Sequence, residues 1–208
     1  WQDLVVPWRS GMAQGQGVSV LARAYLATGD RFYAEAASRA LAPMRLTVAE
    51  GGVLLRSDGE VWIEEYPGSP AWTGVLNGHV YAMWGLWDAA RVFGDKPAAQ
   101  LFDETEATLR RRLPRYDFYG IWTRYCLPER GPLVLANAHY QVEHVQQMRA
   151  MGLLTGNDEY DRWADRWERQ LYRRATATMT VFVRAAFLVP AWFMRTRKAR
   201  GAFPEGQA

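Results

Sequence analysis

A glycine followed by aspartate or asparagine punctuates this chain three times, each time between two runs with helical spacing. The punctuations are Thr28-Gly29-Asp30, Phe93-Gly94-Asp95 and Thr155-Gly156-Asn157-Asp158. A glycine ends a helix in the left-handed conformation at little cost, and the next Asp or Asn can cap the helix that follows. The paired runs are Gly15 to Leu26 and Phe32 to Met44, Asn77 to Val92 and Pro97 to Leu113, Ala138 to Leu154 and Tyr160 to Tyr172. Val18, Leu21, Ala22 and Tyr25 fall on one helical stripe, as do Val80, Trp84 and Trp87.

The second run of each pair is the more charged, as in Arg110-Arg111-Arg112 and in Asp161 to Arg169. That asymmetry predicts an inner layer of first helices and a solvated outer layer of second helices. The expected fold is therefore mainly all-α, an (α/α) toroid or barrel of helix hairpins. A ring of six hairpins needs about twice the three present here, so the toroid is expected to be partial. Preceding sequence, or a second copy in a homodimer, would complete it. The 208 residues suit one well-buried domain.

Two insertions interrupt the helices. Val53 to Arg56, a Ser57-Asp58-Gly59 turn and Val61 to Glu64 read as a β-hairpin, because Asp-Gly favours the tight turns that join twisted strands. Phe118 to Leu127 reads as a second extended segment. Both lead into loops before inner helices, so they converge on one end of the toroid.

The last part of the chain differs in character, giving a division into residues 1–174 and a basic apolar tail, 175–208. Thr176 to Met194 is apolar apart from Arg184 and is flanked by Arg173-Arg174 and by Arg195 to Arg200. An arginine near its middle counts against spanning a bilayer. Contact with a membrane surface is one expectation and a last helix packed on the domain is the other. The compartment stays open: a membrane-associated or cytoplasmic setting in a microbe, or the Golgi lumen for an animal-type chain.

A net charge of +3 gives no reason to expect nucleic-acid binding, yet suits an anionic polysaccharide. Ten tryptophans and ten tyrosines serve first as core, with some available to line a sugar cleft. The single Cys126 rules out an internal disulfide and a cysteine metal site. His139 and His144, five apart, do not share a helical face, so neither a metal nor another cofactor is expected.

Polar residues gather where the inner helices begin: Gln14 and Gln16, Asn77 and His79, then His139, Tyr140 and His144. Helix N-termini favour an anionic ligand at that mouth. Glu64-Glu65-Tyr66-Pro67 and Tyr125 arrive at the same end.

Ser10-Gly11-Met12-Ala13-Gln14-Gly15-Gln16, Glu64-Glu65-Tyr66-Pro67, Val75-Leu76-Asn77-Gly78, Leu113-Pro114-Arg115-Tyr116-Asp117, and Tyr140 with His144 four residues on occur in that order. Together they resemble the C-terminal domain of D-glucuronyl C5-epimerases, over about Ser10 to Leu171. The resemblance implies an (α/α) barrel acting on uronate residues within a polysaccharide such as a heparan sulfate precursor, converting glucuronate to iduronate. It also implies acid/base catalysis by tyrosines, falling here on Tyr66, Tyr125 and Tyr140, with Glu65 beside them. In the animal enzymes the equivalent of Tyr125 is followed by Asp-Leu-Arg-His, whereas Cys126-Leu127-Pro128-Glu129 stands here. That departure weakly favours a microbial polymer over heparan.

The chemistry explains these residue types. The C5 hydrogen of a uronate is a very weak carbon acid, and epimerisation needs one group to remove it and another to reprotonate the opposite face. A tyrosine becomes a base only where its neighbours favour the phenolate. The dianion developing at the carboxylate needs positive charge or donors, for which Arg124, Arg130 and His144 are candidates. Gln14, Gln16, Asn77 and Trp122 complete the expected binding set. A uronate polysaccharide lyase begins with the same proton abstraction, and a non-catalytic glycan-binding or membrane-associated module would keep the aromatics but not need the tyrosines. Each residue also has a plainer role open to it: packing for the tyrosines, a solvated strand end for Glu64 and Glu65, a core hydrogen bond for His144.

Overall fold

The computed structural model describes residues 4, 6–67, 73–129 and 132–173. Its helices are α1 (Gly11–Thr28), α2 (Arg31–Arg45), α3 (Leu76–Phe93), α4 (Lys96–Tyr116), α5 (Ala138–Thr155) and α6 (Asp158–Tyr172). The punctuation seen in the sequence makes the corners. Gly29, Gly94 and Gly156 stand at φ of 70°, 66° and 69°, and Asp30, Asp95 and Asn157 accept hydrogen bonds from the first turns of α2, α4 and α6.

The helices pack as three hairpins, α1 with α2, α3 with α4 and α5 with α6, and α3 lies between α1 and α5. The expected partial (α/α) toroid is the architecture observed. The tail from residue 174 lies outside the described residues, and so does the expectation of membrane contact attached to it. Among the described residues no helix is long and apolar enough to cross a membrane.

The inserted hairpin consists of β1 (Leu54–Ser57) and β2 (Glu60–Ile63), antiparallel with Leu54 opposite Ile63. Asp58 and Gly59 both take positive φ, 51° and 73°, as a two-residue turn of this hand requires. The second extended segment is shorter than expected. It forms the two-residue strands β3 (Asp117–Phe118) and β4 (Trp122–Thr123), followed by single bridges from Arg124 to Leu135 and from Cys126 to Val75. α4 runs on through Pro114 to Tyr116, beyond the Leu113 end that a proline suggests, because a proline in a last turn forfeits little.

The core is continuous from the hairpin to the helices. Trp62 of β2 lies flat on His79 of α3, with ring centroids 3.5 Å apart at 6°, and Tyr116 lies nearly parallel to the indole at 6.3 Å. His79 is fully buried, and its Nδ1 accepts the backbone N–H of Ile63 at 3.1 Å.

α1 and α3 touch through backbone rather than side chains. A methyl group at Gly15 would lie 2.4 Å from Ala82 Cα and 2.6 Å from the Tyr81 carbonyl oxygen; one at Gly85 would lie 2.5 Å from Gly15 Cα. Gly15→Ala therefore sets a helix-propensity gain of about 1 kcal/mol against forced separation of two helices, and the clash wins. We expect the urea midpoint to fall by the equivalent of about 2 kcal/mol. Gly17 is in the same helix with nothing within 4 Å of its would-be Cβ. Gly17→Ala should raise the midpoint by about 0.5–1 kcal/mol, making the pair a test of the contact rather than of composition.

Candidate active site

The end of β2 is pinned by one glutamate and armed by the next. Glu64 turns inward, where its carboxylate accepts the backbone N–H groups of Thr73 and Gly74, both at 3.1 Å, and the Thr73 hydroxyl. Its own carbonyl accepts the N–H of Gly11 at 3.0 Å, tying the strand end to the start of α1. Glu64 is thus a brace between the hairpin and the entry to α3.

Glu65 rests on α3 at Gly78, where an added Cβ would fall 2.4 Å from Glu65 Oε2. Only a glycine leaves room for that carboxylate. Tyr66 follows it, half-buried. Tyr125 is fixed by its backbone, which donates to Val134 O at 2.8 Å and accepts from Leu76 N–H at 3.2 Å. Tyr140 sits in the first turn of α5, its N–H capped by Asn137 Oδ1 at 2.9 Å.

These elements bring Glu65, Tyr66, Tyr125 and Tyr140 together. The rings of Tyr125 and Tyr140 lie 4.6 Å apart at 53°, and Tyr66 packs in the same cluster with Val75. The groups are coupled in a line, Glu65 with Tyr66, Tyr66 with Tyr125 and Tyr125 with Tyr140. Burial, then the bond to Glu65 and its charge, push the Tyr66 phenol up to about 12. Burial first, then Glu65 and the neighbouring tyrosines, hold Tyr125 well above the ordinary tyrosine range. Burial also raises Glu65, and the negative charge of Glu143 adds to that, while the Tyr66 hydrogen bond opposes it. The Tyr66 and Tyr125 phenols therefore hold their protons at neutral pH.

Glu143 and Tyr81 belong to this site, and the sequence reading passed over both. The Tyr81 phenol, raised to about 12 by burial and then by its bond to Glu143, links α3 to α5. His139 stands 3.8 Å from the Glu143 carboxylate. The available signals were weak: Glu143 is one turn beyond Tyr140, and Tyr81 one turn beyond Asn77. Trp8, also passed over, tilts its ring against Tyr66 at 5.5 Å.

Other expected site residues take different places. His144 is fully buried, its Nδ1 3.0 Å from the Thr123 hydroxyl, and burial lowers its pKa to about 3. It is a neutral core imidazole, the plainer of the roles the sequence left open to it. Trp122 is buried with its indole N–H donated to Ala136 O at 2.8 Å, so it supports Tyr140 from behind and is no open sugar platform. Arg124 follows β4, and its guanidinium lies over Phe118 at 5.5 Å. Arg130 lies outside the described residues. Gln14 is half-buried in the first turn of α1 and Gln16 exposed. Asn77 is buried in the first turn of α3, where its carbonyl accepts Gln147 Nε2 at 3.0 Å. Among the described residues no three His, Cys, Asp or Glu side chains cluster as metal ligands would.

Comparison with known proteins places this arrangement. The family described as D-glucuronyl C5-epimerase C-terminus matches residues 2–169. The chain is 32% identical over 184 residues to the D-glucuronyl C5-epimerase of Caenorhabditis elegans, covering 80% of this chain and 29% of that protein. It is 30% identical over 166 residues to an uncharacterised protein of Methanocaldococcus jannaschii, covering 77% of this chain and 51% of the other. The chain thus spans about half of one of these curated relatives and under a third of the other. Among solved structures it is similar to the cellobiose 2-epimerase of Spirochaeta thermophila, an (α/α) barrel, with a TM-score of 0.53 and 16% identity over 76% of this chain and 42% of that one. That likeness establishes the fold alone.

Proposed function

The chain belongs to the D-glucuronyl C5-epimerase C-terminal family, and from that premise we propose that it epimerises D-glucuronate residues at C5 within an anionic polysaccharide. The supporting observation is the chain of phenols running from Glu65 through Tyr66 and Tyr125 to Tyr140. Epimerisation requires an acid and a base on opposite faces of one ring, and this cluster supplies two phenols separated by a third.

Glu65 resolves the difficulty of using a phenol held near 12 as a base. As C5–H breaks, its proton moves to the Tyr66 oxygen while the Tyr66 proton passes to the Glu65 carboxylate. Tyr140 gives its proton to the opposite face of C5 and is left as phenolate. Proton return from Glu65 along Tyr66 and Tyr125 then resets the chain, so the balance is one C5 proton removed and one delivered. Raising the Glu65 pKa by burial brings its proton affinity closer to that of a phenol. The helix N-termini of α3 and α5 face the developing negative charge at the substrate carboxylate.

The test is NMR of a non-sulfated glucuronate polymer incubated with the protein in heavy water. Deuterium at C5 with new iduronate signals supports the proposal. An ultraviolet-absorbing unsaturated product would mean a lyase, and absence of exchange would sink the catalytic reading.

Gly78→Ala probes the site without touching a phenol. Its methyl would meet the Glu65 carboxylate and also Glu65 Cβ at 2.8 Å, which no rotamer moves, so stability should fall by about 1–3 kcal/mol. Turnover should fall by about a hundredfold, since an acid/base group is misplaced by about an ångström. Rates and thermal midpoints of the variant check both halves.

A further inference from the structure

A cavity of about 360 Å³ opens beside Tyr66, walled by Trp8, Arg9, Val48, Gly51 and Pro67. Its volume falls within the range of small-ligand pockets. Pro67 follows Tyr66 directly, and the Trp8 ring lies 5.5 Å from the Tyr66 ring, so the cavity adjoins the phenol cluster across Trp8. Trp8 keeps 37% of its surface open, unlike the buried Trp62, Trp122 and Trp167. Arg9 is exposed, yet held: its Nη1 donates to Gly51 O at 2.8 Å. Gly51 presents that carbonyl from a left-handed conformation, φ 81°.

We propose that this cavity is a second sugar subsite, taking the pyranose next to the reacting uronate in the polymer chain. The assignment rests on the function proposed above. A flat, half-open indole stacks on the apolar face of a pyranose, and a guanidinium already fixed at one nitrogen loses little freedom on pairing with a carboxylate or sulfate. The phenol cluster holds two carboxylates, Glu65 and Glu143, so an arginine at its flank also offsets their repulsion of an anionic chain. Substrate length and charge would then be read at Trp8 and Arg9, while the chemistry proceeds one ring away.

The experiment is an NMR titration of the full chain with indole-¹⁵N tryptophan, comparing glucuronate monosaccharide with a hexasaccharide from the glucuronate polymer; Trp8→Phe assigns the signal. The hexasaccharide should move the Trp8 indole signal and the monosaccharide should not. Trp8→Ala should weaken hexasaccharide binding by about three- to tenfold. Arg9→Gln, an exposed change that spares the core, should weaken it and flatten its salt dependence. Hexasaccharide binding that leaves the Trp8 signal unmoved and both variants at full affinity would overturn the subsite while leaving the proposed function standing. Failure of any uronate oligosaccharide to bind would overturn both.

Discussion

Tyr66→Phe should lower turnover by about two to four orders of magnitude while leaving the fold intact. The variant keeps the ring that packs against Trp8 and Val75 and removes only the hydroxyl between Glu65 and Tyr125. Because Tyr66 is half-buried, losing that hydroxyl should cost no more than about 1 kcal/mol of stability. Tyr140→Phe should act similarly on rate, since each phenol serves one face of the substrate. The check is kcat from C5 exchange beside the thermal midpoint. If Tyr66→Phe kept most of its turnover, the phenol chain would be packing rather than machinery, and a binding module would become the better description.

Acid should unfold this protein through its interior. His79 and His144 are both fully buried, and burial holds each at about 3 instead of the ordinary 6.5. Below 6.5 the unfolded chain binds protons that the folded chain refuses, so stability is complete above that pH and lost as pH falls toward 3. Each histidine should remove about 2 kcal/mol between about pH 8 and about pH 5, together about 4 kcal/mol. Trp62 flat against one imidazole and Thr123 beside the other leave no route for water without disrupting packing. Urea midpoints across that range measure the effect. A midpoint independent of pH would mean that both imidazoles charge without opening the core.

The helices were legible because their ends are written locally: a left-handed glycine and an Asp or Asn cap need only near neighbours. The Asp58-Gly59 hairpin was legible for the same reason. The phenol cluster became visible through resemblance, since Glu65, Tyr66, Tyr125 and Tyr140 are far apart in sequence and meet only through Gly74, Val75 and Leu76. Charge was harder still. His144 read as a candidate charge or donor for an anionic ligand, but its place a turn into α5 buries it. Arg124 read as a clamp by its place next to Tyr125, but its guanidinium lies over Phe118 instead. Glu143 was hidden because an acidic residue among helix charges usually faces water, and only the fold turns it toward Tyr81 and Glu65.

The glycine seam between α1 and α3 makes the two sides of the site a single casting. Trp8 and Arg9 hang from the start of α1, and Glu65, at the end of β2, rests on α3 at Gly78, so their spacing depends on where Gly15 meets Ala82 and Gly85. No rotamer can adjust a joint made of main chain. Changes of polymer preference must then come from side chains set on this frame, which can be exchanged without re-zeroing the distance between the two tools. Anyone retuning this protein toward another uronate polymer should treat the seam as the fixed datum and the side chains at Trp8, Arg9 and Val48 as the adjustable parts.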